Sequence, residues 1–347
     1  MPGLDGLRAV SILLVLAGHI AGTRHAYSLA GFLRFGDFAH LGVRVFFVIS
    51  GFLITTLLIA EHKKTETVSI RGFYFRRTLR IFPAFYFFLL VIAACSRFGL
   101  ITLSKGDLLH GLTYTINYDS QRSWWVGHIW SLSVEEQFYL LWPATIVVFG
   151  LRRAFLGALG IVLLAPVLRV AFLQYWRTAP VGDWFPTTAD SIATGCLLAA
   201  CMHYFELRAP WRKVTRYWPV FAALALLLNV KASGRLSAGM FETLINVCIA
   251  VCIAHFSTTT EGLAARVLNW RPAVFIGVLS YSLYLWQQPF LNRYSSSFLC
   301  SFPVNLVLVF SVALACHYAV EKPFLALRSS APGRQRPTIL PPLPADK

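Results

Sequence analysis

Residues 4–22 read LDGLRAVSILLVLAGHIAG, an apolar run of membrane-spanning length that nevertheless holds an arginine and a histidine. Arg8 and His19 are eleven residues apart. At 3.6 residues per turn, that interval closes to within about 20° of three full turns and covers about 16 Å along the axis. Both side chains therefore fall on one side of one helix, one near each end. An ionisable residue inside a membrane segment costs about 2.5 kcal/mol or more unless it faces a cavity or a partner, so each is a candidate functional residue. The plainer alternative has Arg8 snorkelling to the headgroups and His19 resting at the opposite interface. The remainder of the chain weighs against it.

Hydrophobic residues make up 57% of the 347 residues and charged residues only 13%, with a mean hydropathy of +0.62. Soluble domains carry about twice that charged fraction. The class implied is an all-α polytopic membrane protein, a bundle of about ten transmembrane helices with no room for a sizeable soluble domain. No internal repeat is visible. Cys95, Cys196, Cys201, Cys248, Cys252, Cys300 and Cys316 are scattered through apolar stretches without a CxxC pair or a His-rich cluster. They read as small packing residues, neither a disulfide frame nor a metal site.

After the first segment, spans are expected at about 40–59, 81–98, 130–150, 155–173, 188–205, 217–230, 239–256, 272–291 and 302–320. With the N-terminus inside, 19 Lys and Arg fall in inner loops and the tail against 10 outside. That imbalance places both termini in the cytoplasm by the positive-inside rule. The net charge of +16 then faces anionic headgroups and requires no nucleic acid. No cleavable signal peptide is expected, because the first apolar run lacks a small-residue cleavage site. Residues 1–325 form the membrane domain, and 326–347, ending RQRPTILPPLPADK, read as a Pro-rich, disordered cytoplasmic tail.

Three stretches carry unusual chemistry. HLGVRVFFVISGFLITTLL (40–58) holds Gly42 and Gly51, which allow close backbone approach, and Arg44, which either pairs with a carboxylate or lies at the interface. EHKKTETVSIRGFYFRRTLRIFPAFY (61–86) sets Arg76, Arg77 and Arg80 at three- and four-residue spacings, one cationic helix face at the mouth of the third span. Guanidinium groups bind phosphate bidentately, so this face suits a polyphosphate ligand from the cytoplasm; a positive-inside anchor is the simpler reading. In HIWSLSVEEQFYLLWP (128–143), His128, Ser131, Glu135 and Tyr139 share a helical face, and Glu136 is rotated about 100° away. Carboxylates here are expensive and lie toward the side on which His19 ends its helix. An imidazole and a carboxylate at one depth can take a proton from a hydroxyl and hold the ring in the productive tautomer; the plainer alternative for Glu135 and Glu136 is a structural glutamate paired with an arginine of a neighbouring helix.

These segments resemble the acyltransferase 3 family of integral-membrane acyltransferases over nearly the whole chain. LDGLRAVSILLVLAGH is similar to the family's opening arginine and histidine, GVRVFFVISGFLIT to its second-helix signature, and FYFRRTLRIFPAFY to its Arg-rich third-helix entrance. HIWSLSVEEQFYLLWP resembles its fourth-helix motif, in which the carboxylate matching Glu135 is the persistent one. TTADSIATGCLLA, GVLSYSLYLWQQP and VEKPF fit later segments in the right order. Two departures stand out: many relatives carry an arginine near the position of Thr188 and a histidine where this chain has Gln287.

The resemblance implies an O-acyltransferase of the bacterial cytoplasmic membrane with acyl-CoA, acetyl-CoA in the first instance, as co-substrate. The acceptor is then a hydroxyl of a glycan, a lipid-linked sugar or a glycosylated small molecule. His19 acts as general base or acyl-accepting nucleophile with Glu135 assisting, and Arg8, Arg76, Arg77 and Arg80 bind the donor. His128, Ser131, Glu136, Tyr139 and Asp190 support the site, Asp190 as a polar wall or salt-bridge partner. Glu321 is expected to cap or pair. A proton-coupled transporter of a glycan or solute would use the same residues, but the inverted repeats and matched helix breaks that favour one are missing. A silent subunit of a polysaccharide assembly complex would have lost His19 and Glu135, and both are present.

Overall fold

The computed structural model describes residue 1 and residues 3–26, 36–176, 181–204, 213–229 and 235–329. The chain is all-helical, with no strand among the described residues. Its main helices are α1 (Leu4–Ile20), α2 (Phe38–Thr65), α3 (Ile70–Arg97), α4 (Trp130–Tyr175), α5 (Phe185–Tyr204), α6 (Trp218–Asn229), α7 (Arg235–Thr258), α8 (Arg271–Phe290) and α9 (Val304–Cys316). A wide π turn, His317–Glu321, joins α9 to α10 (Lys322–Ser329). Among the described residues, five stretches are long and apolar enough to cross a membrane: Phe38–Thr65, Ile70–Arg97, Trp124–Tyr175, Gly239–Thr258 and Val304–Leu327. The chain is therefore a membrane protein. The expected tail, 326–347, falls largely outside the described residues.

Several boundaries differ from those expected from apolar runs alone. α3 starts at Ile70, eleven residues before the expected 81, because Ser69 accepts the Gly72 amide at 3.1 Å and caps a helix that begins in a polar stretch. The three arginines thus lie inside α3 and not at its mouth. The runs expected at 130–150 and 155–173 are one helical stretch interrupted at Gly150, whose φ of 77° and ψ of 160° suit only glycine. At the other end, α4 starts at Trp130, so His128 lies before it and not on its face.

The core is built on α2, which packs along α5 and α1, while α1 also lies against α8 and α4 against α5. Such proximity depends on small residues, since lipid offers apolar side chains as good an environment as a neighbouring helix does. A Cβ on Gly51 would lie 1.9 Å from the Ile192 carbonyl oxygen of α5, and one on Gly42 2.5 Å from that of Ser11 in α1. Both glycines of the second segment thus act as anticipated. In detergent, Gly51→Val should lower the unfolding temperature by an amount corresponding to about 1–3 kcal/mol, the range of overpacked cores; an unchanged melting curve would show that α2 and α5 can separate freely.

Candidate active site

The last turn of α1 brings His19 against α8, where its Nδ1 lies 2.7 Å from Gln287 Oε1. An amide oxygen only accepts, so this contact selects the tautomer protonated on Nδ1 and leaves a lone pair on Nε2. Trp124 meets the imidazole edge-on, ring centroids 5.8 Å apart. Its indole N–H donates to the Gln288 carbonyl at 2.9 Å, and the Gln288 side-chain amide donates back to the Trp124 carbonyl at 2.6 Å. Adjacent glutamines on one helix therefore fix both the imidazole and the indole beside it.

His19 opens on a cavity of about 350 Å³ whose walls include His40, Trp124, His128, Trp130 and Asp183. His40 has a carboxylate at each ring nitrogen, Asp37 at 3.0 Å from Nδ1 and Asp183 at 3.4 Å from Nε2. It stacks on Trp130 with centroids 5.4 Å apart, and Arg122 donates to Asp183 from the far side. Burial pushes the Asp37 carboxyl up, but the hydrogen bonds and charge of His40 outweigh it and hold it well below the ordinary carboxylate range. Asp183 is likewise held down by His40 and Arg122 against its burial. The cavity wall thus sets aromatic faces beside polar groups that other residues hold in place.

A second cluster centres on Arg77 of α3. Glu135 Oε1 accepts hydrogen bonds from Ser50 and Tyr139 and stands 3.4 Å from the Arg77 guanidinium. Arg77 also reaches Glu136 at 3.4 Å and lies over the Tyr139 ring, 3.6 Å from its centroid. Glu135 and His19 are thus not brought into contact; the partner of His19 is Gln287. Nor do the arginines form one free cationic face, since Arg77 turns inward while Arg76 pairs with Glu61 at 3.2 Å. Arg8 sits 3.6 Å from Asp5. His128 Nε2 donates to the Leu285 carbonyl at 3.0 Å, and Ser131 meets the Tyr284 hydroxyl at 2.6 Å, tying the start of α4 to α8.

Asp190 is a salt-bridge partner. Arg169 contacts it, and Thr243 and Asn246 donate to it at 2.7 and 3.1 Å. Glu242 accepts from Arg169 and, across the interface, from Arg44, so Arg44 pairs with a carboxylate. Thr188 donates to the Gly182 carbonyl at 2.8 Å.

Sequence reasoning missed His40, Asp37, Arg122 and Asp183. One signal was available: Asp37 stands three residues before His40 at the start of an apolar run and caps α2 by accepting the His40 amide at 3.1 Å. Asp183, far along the chain, offered none.

A family model described as an acyltransferase domain matches residues 1–321. The peptidoglycan O-acetyltransferase OatA of Listeria monocytogenes is 25% identical over 328 residues, covering 84% of this chain and 49% of that protein. The O-acetyltransferase OatA of Staphylococcus aureus is 31% identical over 334 residues, covering 85% and 51%. A putative O-acetyltransferase of the same species, SAS0844, is 29% identical over 315 residues, covering 82% and 50%. The chain spans about half the length of these relatives. No solved structure matches it. Bundle and match together define a membrane-embedded acyltransferase domain. The chain belongs to the acyltransferase 3 family.

Arg77→Gln leaves two carboxylates facing each other in the bundle, and the cost of an unpaired buried charge is about 3–5 kcal/mol. A sharp loss of folded protein is expected on gel filtration. Combining it with Glu135→Gln should restore part of that loss, and purely additive effects would mean the groups do not interact.

Proposed function

We propose that this domain is an O-acyltransferase of the bacterial cytoplasmic membrane, with ten spans and both termini inside, moving an acetyl group from acetyl-CoA to a saccharide hydroxyl. The observation that carries this reading is the imidazole of His19, fixed by Gln287 in one tautomer and opening on a cavity walled by Trp124, Trp130 and His40. In that tautomer Nε2 takes the proton of an acceptor hydroxyl as its oxygen attacks the thioester carbonyl; the C–S bond breaks and CoA leaves as the thiol. Transfer through an acyl-imidazole uses the same nitrogen as nucleophile.

The donor approaches from the membrane end that bears Arg8, Arg76 and Arg80, with its pantetheine arm running along α1 toward His19. Arg77 contributes differently from its neighbours, because two carboxylates already hold it. Glu135 supports catalysis at one remove, by fixing Arg77, Ser50 and Tyr139 in the floor of the path. The glycan named for the Listeria relative, peptidoglycan, is the first acceptor to try.

The test is release of free CoA from acetyl-CoA by the purified chain, with and without peptidoglycan fragments or a crude membrane glycan extract. His19→Ala should lower release by about a hundredfold or more, the scale of a lost general base, with membrane expression intact. Gln287→Ala should lower kcat more than it raises KM, because the imidazole remains but is no longer held in one tautomer. Undiminished release by His19→Ala would remove His19 from the mechanism. Silence of the native chain with acetyl-, propionyl- and butyryl-CoA would overturn the donor assignment.

A further inference from the structure

A second cavity, of about 520 Å³, lies between α8 and the junction of α9 with α10, away from the His19 site. Its walls include Arg271, Phe275 and Val278 on α8 and His317, Tyr318 and Lys322 across from them. Arg271, Phe275 and Val278 occupy positions i, i+4 and i+7, so they form a stripe that rises from a cation to apolar surface over about 10 Å. Phe275 and Val278 are exposed, as lipid-facing side chains are.

Among the described residues, nothing neutralises the cations at the lip. No carboxylate pairs with Arg271 or Lys322 among the described residues; Lys322 only overlies the Tyr318 ring, 5.2 Å from its centroid. Glu321, adjacent in sequence, is turned inward and occupied: it accepts from His317 Nδ1 at 2.7 Å and from Ser282 at 2.6 Å. The lip also has a definite place in the bundle. Asn269, in its wall, accepts the Gly3 amide at 3.0 Å and so ties the lip to the start of α1. By chain direction this is the end where α2 finishes in His62, Lys63 and Lys64, the basic and hence inner-leaflet end.

We propose that this groove is a binding site for an anionic phospholipid of the inner leaflet. The phosphate would be held by Arg271 and Lys322, and an acyl chain would lie along Phe275 and Val278. Both halves of the site are needed for that ligand: a soluble phosphate has no use for the apolar stripe, and a plain hydrocarbon has none for two unpaired cations. The inference does not depend on the reaction proposed above.

Native mass spectrometry of the full chain in mild detergent, titrated with phosphatidylglycerol or with phosphatidylcholine of the same acyl chains, tests it. Phosphatidylglycerol should be retained at lower concentration than phosphatidylcholine. The double variant Arg271→Gln/Lys322→Gln should weaken that retention by roughly tenfold or more, given about 1 kcal/mol per basic residue at the surface. Val278→Trp keeps both cations but fills the apolar track, and it should weaken retention independently. Arg152→Gln/Arg153→Gln, which removes a basic pair elsewhere on the chain, should leave it unchanged, and glycerol 1-phosphate, a headgroup without a chain, should not compete. Equal retention of the two lipids, or native retention in both groove variants, would overturn the site. Displacement of phosphatidylglycerol by CoA would also overturn it, by reassigning the cations to a soluble phosphate ligand.

Discussion

A charge in hydrocarbon must be answered by another charge within the protein, and in this bundle α4 is where most of the answers meet. Near its start Glu135 and Glu136 are held by Arg77 of α3. Near its far end Arg169 is held by Asp190 of α5 and Glu242 of α7. These partners specify which helices are neighbours and in what rotation. Dispersion packing between apolar helices provides contact but little discrimination. The close approach of α2 to α1 and α5 through Gly42 and Gly51 then completes the frame.

On that frame the candidate site is a matter of what α8 presents to α1. Gln287 and Gln288 are consecutive and point their amides to different tasks, one toward His19 and the other toward Trp124. His40, stacked on Trp130 and flanked by two carboxylates, closes the cavity from the α2 side. Asp37 and Asp183 on its ring nitrogens, with Arg122 on Asp183, make that wall of the cavity polar.

Much of this was legible in the sequence, because placing an ionisable residue in an apolar run is costly enough to be informative. Arg8, His19, Arg44, Glu135 and Asp190 stood out for that reason, and the structure gives each of them a defined place. What periodicity could not supply was pairing across helices. Glu135 and His19 lie on the same side of the membrane in a linear reading, yet one is directed to Arg77 and the other to Gln287, a residue singled out only as a departure from its family. His40 and Asp183 are 143 residues apart and become neighbours only through the packing of α2 with α5 and the turn before α5. Helix limits were misread wherever a helix runs beyond the hydrocarbon, as α3 does from its Ser69 cap, since hydropathy reports the solvent and not the end of the hydrogen-bonding ladder.

The ion network that joins Arg44, Glu242, Arg169 and Asp190 has an evolutionary corollary. Its four members come from four different helices, and Glu242 is shared by both arginines. The network holds two cations and two anions, so removing any one leaves it with a net uncompensated charge within the bundle, and no single substitution leads smoothly from this arrangement to an apolar one. Lineages that lack an arginine at position 44 are expected to have dispensed with the acid at position 242 or to have supplied another cation for it. On this charge balance its members are expected to be gained and lost as a set.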